Sequence, residues 1–175
     1  VVAGAVIFSD IRIIPRLNDS KQLTPEERDA LYDAIVASGA SVGVGVASVE
    51  EINRYNILGA TRMAWGRAVE SLSLRPSLIL IDGNATATFD ARVETIVRGD
   101  ALCASIAAAS IIAKVVRDRL MADLDQEYPA YGFARHKGYA TTEHLDAVRR
   151  IGPSPVHRTA FISPDLFQQP LHFGQ

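Results

Sequence analysis

The sequence predicts an α/β fold. Runs rich in branched apolar residues, suited to strands, occur at 1–14, 41–48 and 78–82. Segments with helix-start signals fall between them, and an alanine-rich helix follows from about 104 to 126. Strands alternating with helices are the pattern of a sheet covered by helices.

Residues 1–14 read as one long strand or a hairpin, interrupted by Ser9-Asp10, and 16–23 as a polar loop. Thr24, Pro25 and Glu27 make a capping box with proline in the first turn, so a helix is expected from about 25 to 37, closed by Gly39. The segment SVGVGVAS (41–48) alternates small and branched residues, as a strand does. Its Gly43 and Gly45 lack the third glycine of a nucleotide loop, and close backbone approach is the reading taken. Ser48 and Glu51 make a second capping box. Ile52, Tyr55, Leu58, Arg62, Trp65, Val69 and Leu72 fall on one face of the helix that follows. After the strand at 78–82 comes a short one near ETIVRGD (94–100). On the long helix, Ile106, Ala109, Ala113, Val116, Leu120 and Leu124 form the expected buried stripe. The segment YPAYGFARHKGYAT (128–141) is an irregular, aromatic and basic loop, and a last helix from about 142 to 151 stops at Gly152-Pro153.

With 175 residues, 48% of them hydrophobic, and no repeat or linker, the chain suits a single domain over 1–164 followed by an irregular tail over 165–175. A net charge of −2 gives no support for tight nonspecific binding to polyanions, so such a partner must meet a local basic surface. Cys103 is the sole cysteine, which excludes an internal disulfide and suits a reducing cytosol. No apolar stretch approaches a membrane span, and VVAGAVIF is too short and lacks the basic flank of a signal peptide. It also starts in mid-strand without a methionine, so the chain is expected to lack its true beginning.

Chemistry concentrates at LILIDGN (78–84), where a buried-strand run ends in a carboxylate. Ligands of open α/β sheets bind at the carboxyl ends of the strands. Asp100 lies 18 residues after Asp82, before the long helix. If both segments belong to one sheet-helix unit, the carboxylates converge at one edge. Close carboxylates repel, which favours a bound cation or a raised pKa. Oxygen donors without a cysteine or histidine cluster point to Mg²⁺ or Mn²⁺ over zinc. The plainer alternatives stay open: Asp100 as a helix N-terminal acid, and Asp82 as a turn residue before Gly83.

Five segments in order, LNDSKQLT (17–24), ILIDGN (79–84), GDALCASIAAASIIAKVVRDRLM (99–121), YGFARHKGYATTEHL (131–145) and GPSPVHRTAF (152–161), resemble ribonuclease HII. The resemblance covers nearly all of the chain to about residue 164. It implies an RNase H-like mixed β-sheet flanked by helices, with a C-terminal helical extension. It also implies cleavage of the RNA strand in RNA–DNA hybrids and 5′ of ribonucleotides embedded in duplex DNA. Asp82 and Asp100 are then catalytic and metal-binding carboxylates, in a site where two divalent ions about 4 Å apart clamp an in-line displacement. The products would carry a 3′-hydroxyl and a 5′-phosphate. Tyr139 matches the tyrosine that stacks on the sugar after the ribonucleotide. Asn18, Ser20 and Lys21 match a loop along the nucleic-acid backbone, with Lys137 and Arg158 as further phosphate contacts or else solvated charges. The expected protein is a cytoplasmic monomer acting on nucleic acid, with no membrane partner.

The family's Asp-Glu-Ala-Gly-Arg-Gly signature, which should precede VVAGAVIF on the first, central strand, is absent. Its Asp and Glu supply half the acidic cluster. The chain as given is therefore expected to be weakly active or inactive, with that central strand missing and its neighbours' edges unpaired. A non-catalytic hybrid-binding protein and another RNase H-fold nuclease, such as a junction resolvase, remain as alternatives. A four-way junction cleavage assay separates the last. Lys114 and Asp118 are read as an i,i+4 pair, with Asp118 left off the catalytic set. His136, His144 and His157 lack metal-ligand spacing and are read as loop or surface residues.

Overall fold

A computed structural model describes residues 1–9, 17 and 23–162. Strand β1 (Val2–Ile7) pairs antiparallel with β2 (Ser41–Val46), and β3 (Leu78–Asp82) pairs parallel with β4 (Arg92–Ile96). Helix α1 (Pro25–Ala37) precedes β2, and α2 (Val49–Glu70) follows it. A short α3 (Gly99–Leu102) leads into the long α4 (Ala104–Glu127), and α5 (Phe133–His136) and α6 (Thr142–Ile151) complete the C-terminal part. Both expected capping boxes form, at Thr24–Glu27 and at Ser48–Glu51.

The β1–β2 pair is sandwiched. Ala60, Ala64 and Ala68 of α2 join Ala3 and Ile52 on one face, while Ile111, Ile112 and Val115 of α4 join Ile35 of α1 on the other. A third cluster, around Tyr131, Phe133, Ala147 and Val148, anchors the C-terminal helices to Met121 and Leu124 of α4.

The expected stripe on α2 is corrected. Its buried residues are Ile52, Ala60, Ala64 and Ala68, whereas Tyr55 and Leu58 are exposed. The cause is Asn56, whose positive φ of 59° breaks the helix and shifts the phase of its faces. Its Oδ1 then caps the second segment by accepting from the amides of Leu58 and Gly59. The fold-back brings Arg67 onto Glu51 (Nη1 to Oε2, 2.8 Å), and that hydrogen bond, aided by the amide of Ser48, holds the Glu51 carboxyl down at about 2. Small residues face the sheet because Gly43 and Gly45 let the helix backbone down onto β2. A Cβ on either would stand 2.0 Å from a carbonyl of α2.

The stripe on α4 is corrected as well. Ile106, Ala107, Ala108, Ile111, Ile112 and Val115 are buried, and Leu120 is exposed. Ala109 and Ala113 instead border a slot between the two strand pairs. Among the described residues no ladder joins β1 to β3. A cavity of about 430 Å³ separates them, lined by residues 1–8 along one edge, by 78–82 along the other, and by apolar side chains such as Trp65 and Ile106.

Candidate active site

Parallel pairing in register places Asp82 opposite Ile96 at the carboxyl ends of β3 and β4. The amide of Gly83 donates to the carbonyl of Ile96 (2.9 Å), which ties off the pair at that edge. Two residues beyond β4, Arg98 adopts a left-handed conformation, and the chain turns into α3. The amide of Gly99 then donates to Asp82 Oδ1 at 2.8 Å. Asp100, the next residue, is buried at 8% exposure, while Asp82 is exposed. The Gly99 amide thus ties the first turn of a separate short helix, which carries Asp100, to the strand end that carries Asp82. A Cβ at Gly99 would stand 2.6 Å from Ile106 Cδ1, the movable end of a side chain. The sequence reading missed this amide contact, although the Gly-Asp pair at the helix start is a usable signal for it.

Could these residues hold a divalent cation? Two carboxylates give an oxygen-only donor set of the kind hard cations select, and Asp82 keeps lone pairs beyond the one its hydrogen bond uses. Among the described residues no group of three or more His, Cys, Asp or Glu side chains forms a metal cluster. The pair fits part of a coordination shell, with the remaining positions left to other oxygen donors.

Tyr139 is 57% exposed. Arg117 lies over its ring, 4.7 Å from the centroid, and donates to its hydroxyl (3.3 Å) and to the carbonyl of Lys137 (2.7 Å). Arg117 gave no signal in the sequence, because it sits on α4, 22 residues away. Lys137 reaches the carbonyl of Asp118 at 3.5 Å, and Arg158 packs on the Phe161 ring. Lys114 and Asp118 pair at 2.7 Å, as expected. Asn18, Ser20, Lys21 and the tail after Ile162 lie outside the described residues.

The three histidines are not surface residues. His136, His144 and His157 are each under 10% exposed and pack around Phe133. Residues 131–161 bring together rings that sequence spacing kept apart, which is why their burial was not legible in the sequence, although His157 does lie in a loop. Burial, and next the neighbouring His144, pushes the His157 imidazole down to about 4. Because the folded value lies below the unfolded one near 6.5, the neutral ring stabilises the fold fully above pH 6.5. That contribution is lost as pH falls toward 4, by up to about 3 kcal/mol. Thermal unfolding should show a drop in Tm through this window, and His157→Asn should flatten it. An unchanged slope in the variant would refute the assignment.

The family profile described as Ribonuclease HII matches residues 1–163. A ribonuclease HII of Burkholderia ambifaria is 54% identical over 161 residues, which span 92% of this chain and 74% of that protein. In structure, the chain is similar to RNase HII of Archaeoglobus fulgidus, solved in a complex with PCNA. The TM-score is 0.78 at 21% identity, over 97% of this chain and 90% of that one. Bst-RNase HIII in complex with Mn²⁺ is similar with a TM-score of 0.55 at 22% identity, over 78% of this chain and 51% of that one.

Proposed function

The chain belongs to the ribonuclease HII family, and we propose that it hydrolyses the RNA strand of RNA–DNA hybrids and cuts 5′ of single ribonucleotides in duplex DNA. The observation that supports the catalytic reading is the hydrogen bond from the amide of Gly99, the residue before Asp100, to Asp82. Asp82 and Asp100 would hold Mg²⁺ or Mn²⁺, a choice supported by their all-oxygen donor set. Bound there, a pair of such ions supplies an activated water and charge neutralisation for the leaving oxygen. The chain's own part is orientation. Gly99 fixes the Asp82 carboxylate, the low exposure of Asp100 strengthens its field, and Lys137, Arg158 and the Asn18–Lys21 segment offer partners to phosphates. Water displaces the 3′-oxygen at phosphorus, leaving a 3′-hydroxyl upstream and a 5′-phosphate on the ribonucleotide. Tyr139 presents an exposed ring to the sugar that follows, so its contact tolerates any base.

Two carboxylates are a thin ligand set, and the 175-residue chain is expected to cut weakly. The test is a gel assay on duplex DNA with one ribonucleotide, comparing this chain with one extended by the Asp-Glu-Ala-Gly-Arg-Gly segment. The extended form should cut only with Mg²⁺ or Mn²⁺, and only at the ribonucleotide. Tyr139→Ala in that form should lose about tenfold or more. A second reading, a non-catalytic hybrid binder, draws on the lack of a three-ligand cluster among the described residues. Metal-independent binding with no cutting in either form would favour it.

A further inference from the structure

The segment 137–139 is an unusual place for an exposed recognition ring, since Lys137 (φ 50°) and Gly138 (φ 73°) are both left-handed. A lysine in that region is disfavoured and persists only where surrounding bonds hold it. Those bonds come largely from histidines. The amide of Gly138 donates to His136 Nδ1 (3.1 Å), and the amide of Tyr139 donates to the carbonyl of His136 (2.9 Å). The carbonyl of Tyr139 lies 2.9 Å from His144 Nδ1 and also accepts from the amide of Thr141. His144 Nε2 meets His157 Nε2 at 3.0 Å, and His157 Nδ1 accepts from the amide of Ser154 at 2.9 Å.

These partners fix every proton. A backbone amide can only donate, so His157 Nδ1 and His136 Nδ1 are bare. A carbonyl can only accept, so the nitrogens facing the carbonyls of Tyr131 and Tyr139, His136 Nε2 and His144 Nδ1, carry hydrogen. The neutral His157 ring then carries its hydrogen on Nε2 and donates it to the bare Nε2 of His144. In this pattern both nitrogens of each ring are used, and a further proton on any of them would set two donors face to face. The rings also stack, with His136 and His144 centroids 4.3 Å apart. Burial disfavours the charged forms of His144 and His157 in the same direction.

We propose that His157 and His144 form a neutral hydrogen-bonded relay from Ser154 to the recognition loop, with His136 stacked on His144 and bonded to the same loop, and with His144 the positioning residue for Tyr139. This rests on Tyr139 meeting nucleic acid as read above. His144 touches no substrate in this account. It acts by holding the backbone from which the ring projects.

Two measurements on the full chain test it. Nitrogen NMR of ¹⁵N-histidine-labelled protein at pH 7 should show three neutral rings, with hydrogen on Nε2 of His136 and His157 and on Nδ1 of His144. The opposite tautomer at His144 would overturn the relay. Binding of a fluorescein-labelled duplex with one ribonucleotide, compared with an all-DNA duplex, gives the second readout. His144→Phe keeps a ring but no donor and should weaken ribonucleotide-dependent binding about tenfold. His144→Asn places an amide near the Nδ1 position and should stay within about threefold. Should the phenylalanine variant unfold by circular dichroism, His144→Gln, whose longer amide misses the Tyr139 carbonyl, replaces it. Equal binding by all folded variants, alongside a clear loss in Tyr139→Ala, would refute positioning and leave the Tyr139 reading standing. No loss in Tyr139→Ala would instead refute the Tyr139 reading, and the proposal with it, while the tautomers still judge the hydrogen-bond chain.

Discussion

Gly45→Ala is expected to destabilise the chain by about 3 kcal/mol or more, toward the upper end of what overpacking costs. A single methyl group normally stabilises a strand position relative to glycine. Here the added carbon would stand 2.0 Å from the Ala64 carbonyl and 2.6 Å from the Ala68 amide, both backbone atoms of α2. Backbone cannot rotate out of the way as a side chain can. The second segment of α2 would have to lift from the sheet and open the cluster of Ala3, Ile52, Ala60, Ala64 and Ala68. Gly43→Ala should behave alike, since its Cβ would meet the Ala68 carbonyl at 2.0 Å. Gly66 is the control, with nothing within 4 Å of its would-be Cβ. Gly66→Ala should stabilise by about 0.5–1 kcal/mol through helix propensity. Urea unfolding of the three variants measures all of this. A Gly45→Ala chain as stable as the parent would refute the close approach of α2 to β2.

Asp82→Asn and Asp100→Asn, made in the extended chain, should each lower cutting at a single ribonucleotide by about a thousandfold, or about 4 kcal/mol of transition-state stabilisation. An amide offers one neutral oxygen where a carboxylate offers two charged ones, so a hard cation loses a ligand and its charge balance. Asparagine at 82 still accepts from the Gly99 amide, so that variant should melt close to the parent. Loss of cutting without loss of folding separates metal chemistry from the plainer role of a turn residue. A folded variant cutting within tenfold of the parent would remove its aspartate from the site.

How much of this was legible beforehand differs from element to element. The helix from Pro25 to Ala37 and the strand from Leu78 to Asp82 were readable to the residue, because caps and apolar runs are written locally. The faces of α2 and α4 were not. Asn56 breaks one periodicity, and in α4 the two sides pack against different things, a core and a slot. Asp82 and Asp100 were legible as candidates from an acid ending an apolar strand and another opening a helix. The contact between the Gly99 amide and Asp82 depended on parallel pairing of β3 with β4 and on the turn at Arg98. Arg117 and the three histidines left no pattern, since the contacts that join Arg117 to Tyr139, His144 to Tyr139 and His144 to His157 span 22, 5 and 13 residues.

By itself, then, the sequence determined the order and ends of the elements, the glycine-lined approach at β2 and the family. Those depend on caps, short-range periodicity and ordered motifs, all of them interactions among neighbours along the chain. Only the tertiary structure decided which helix faces are buried, that the Gly99 amide binds Asp82, and that three histidines are buried together around Phe133. Such outcomes turn on shape complementarity and desolvation between segments far apart in sequence, and no local pattern encodes them.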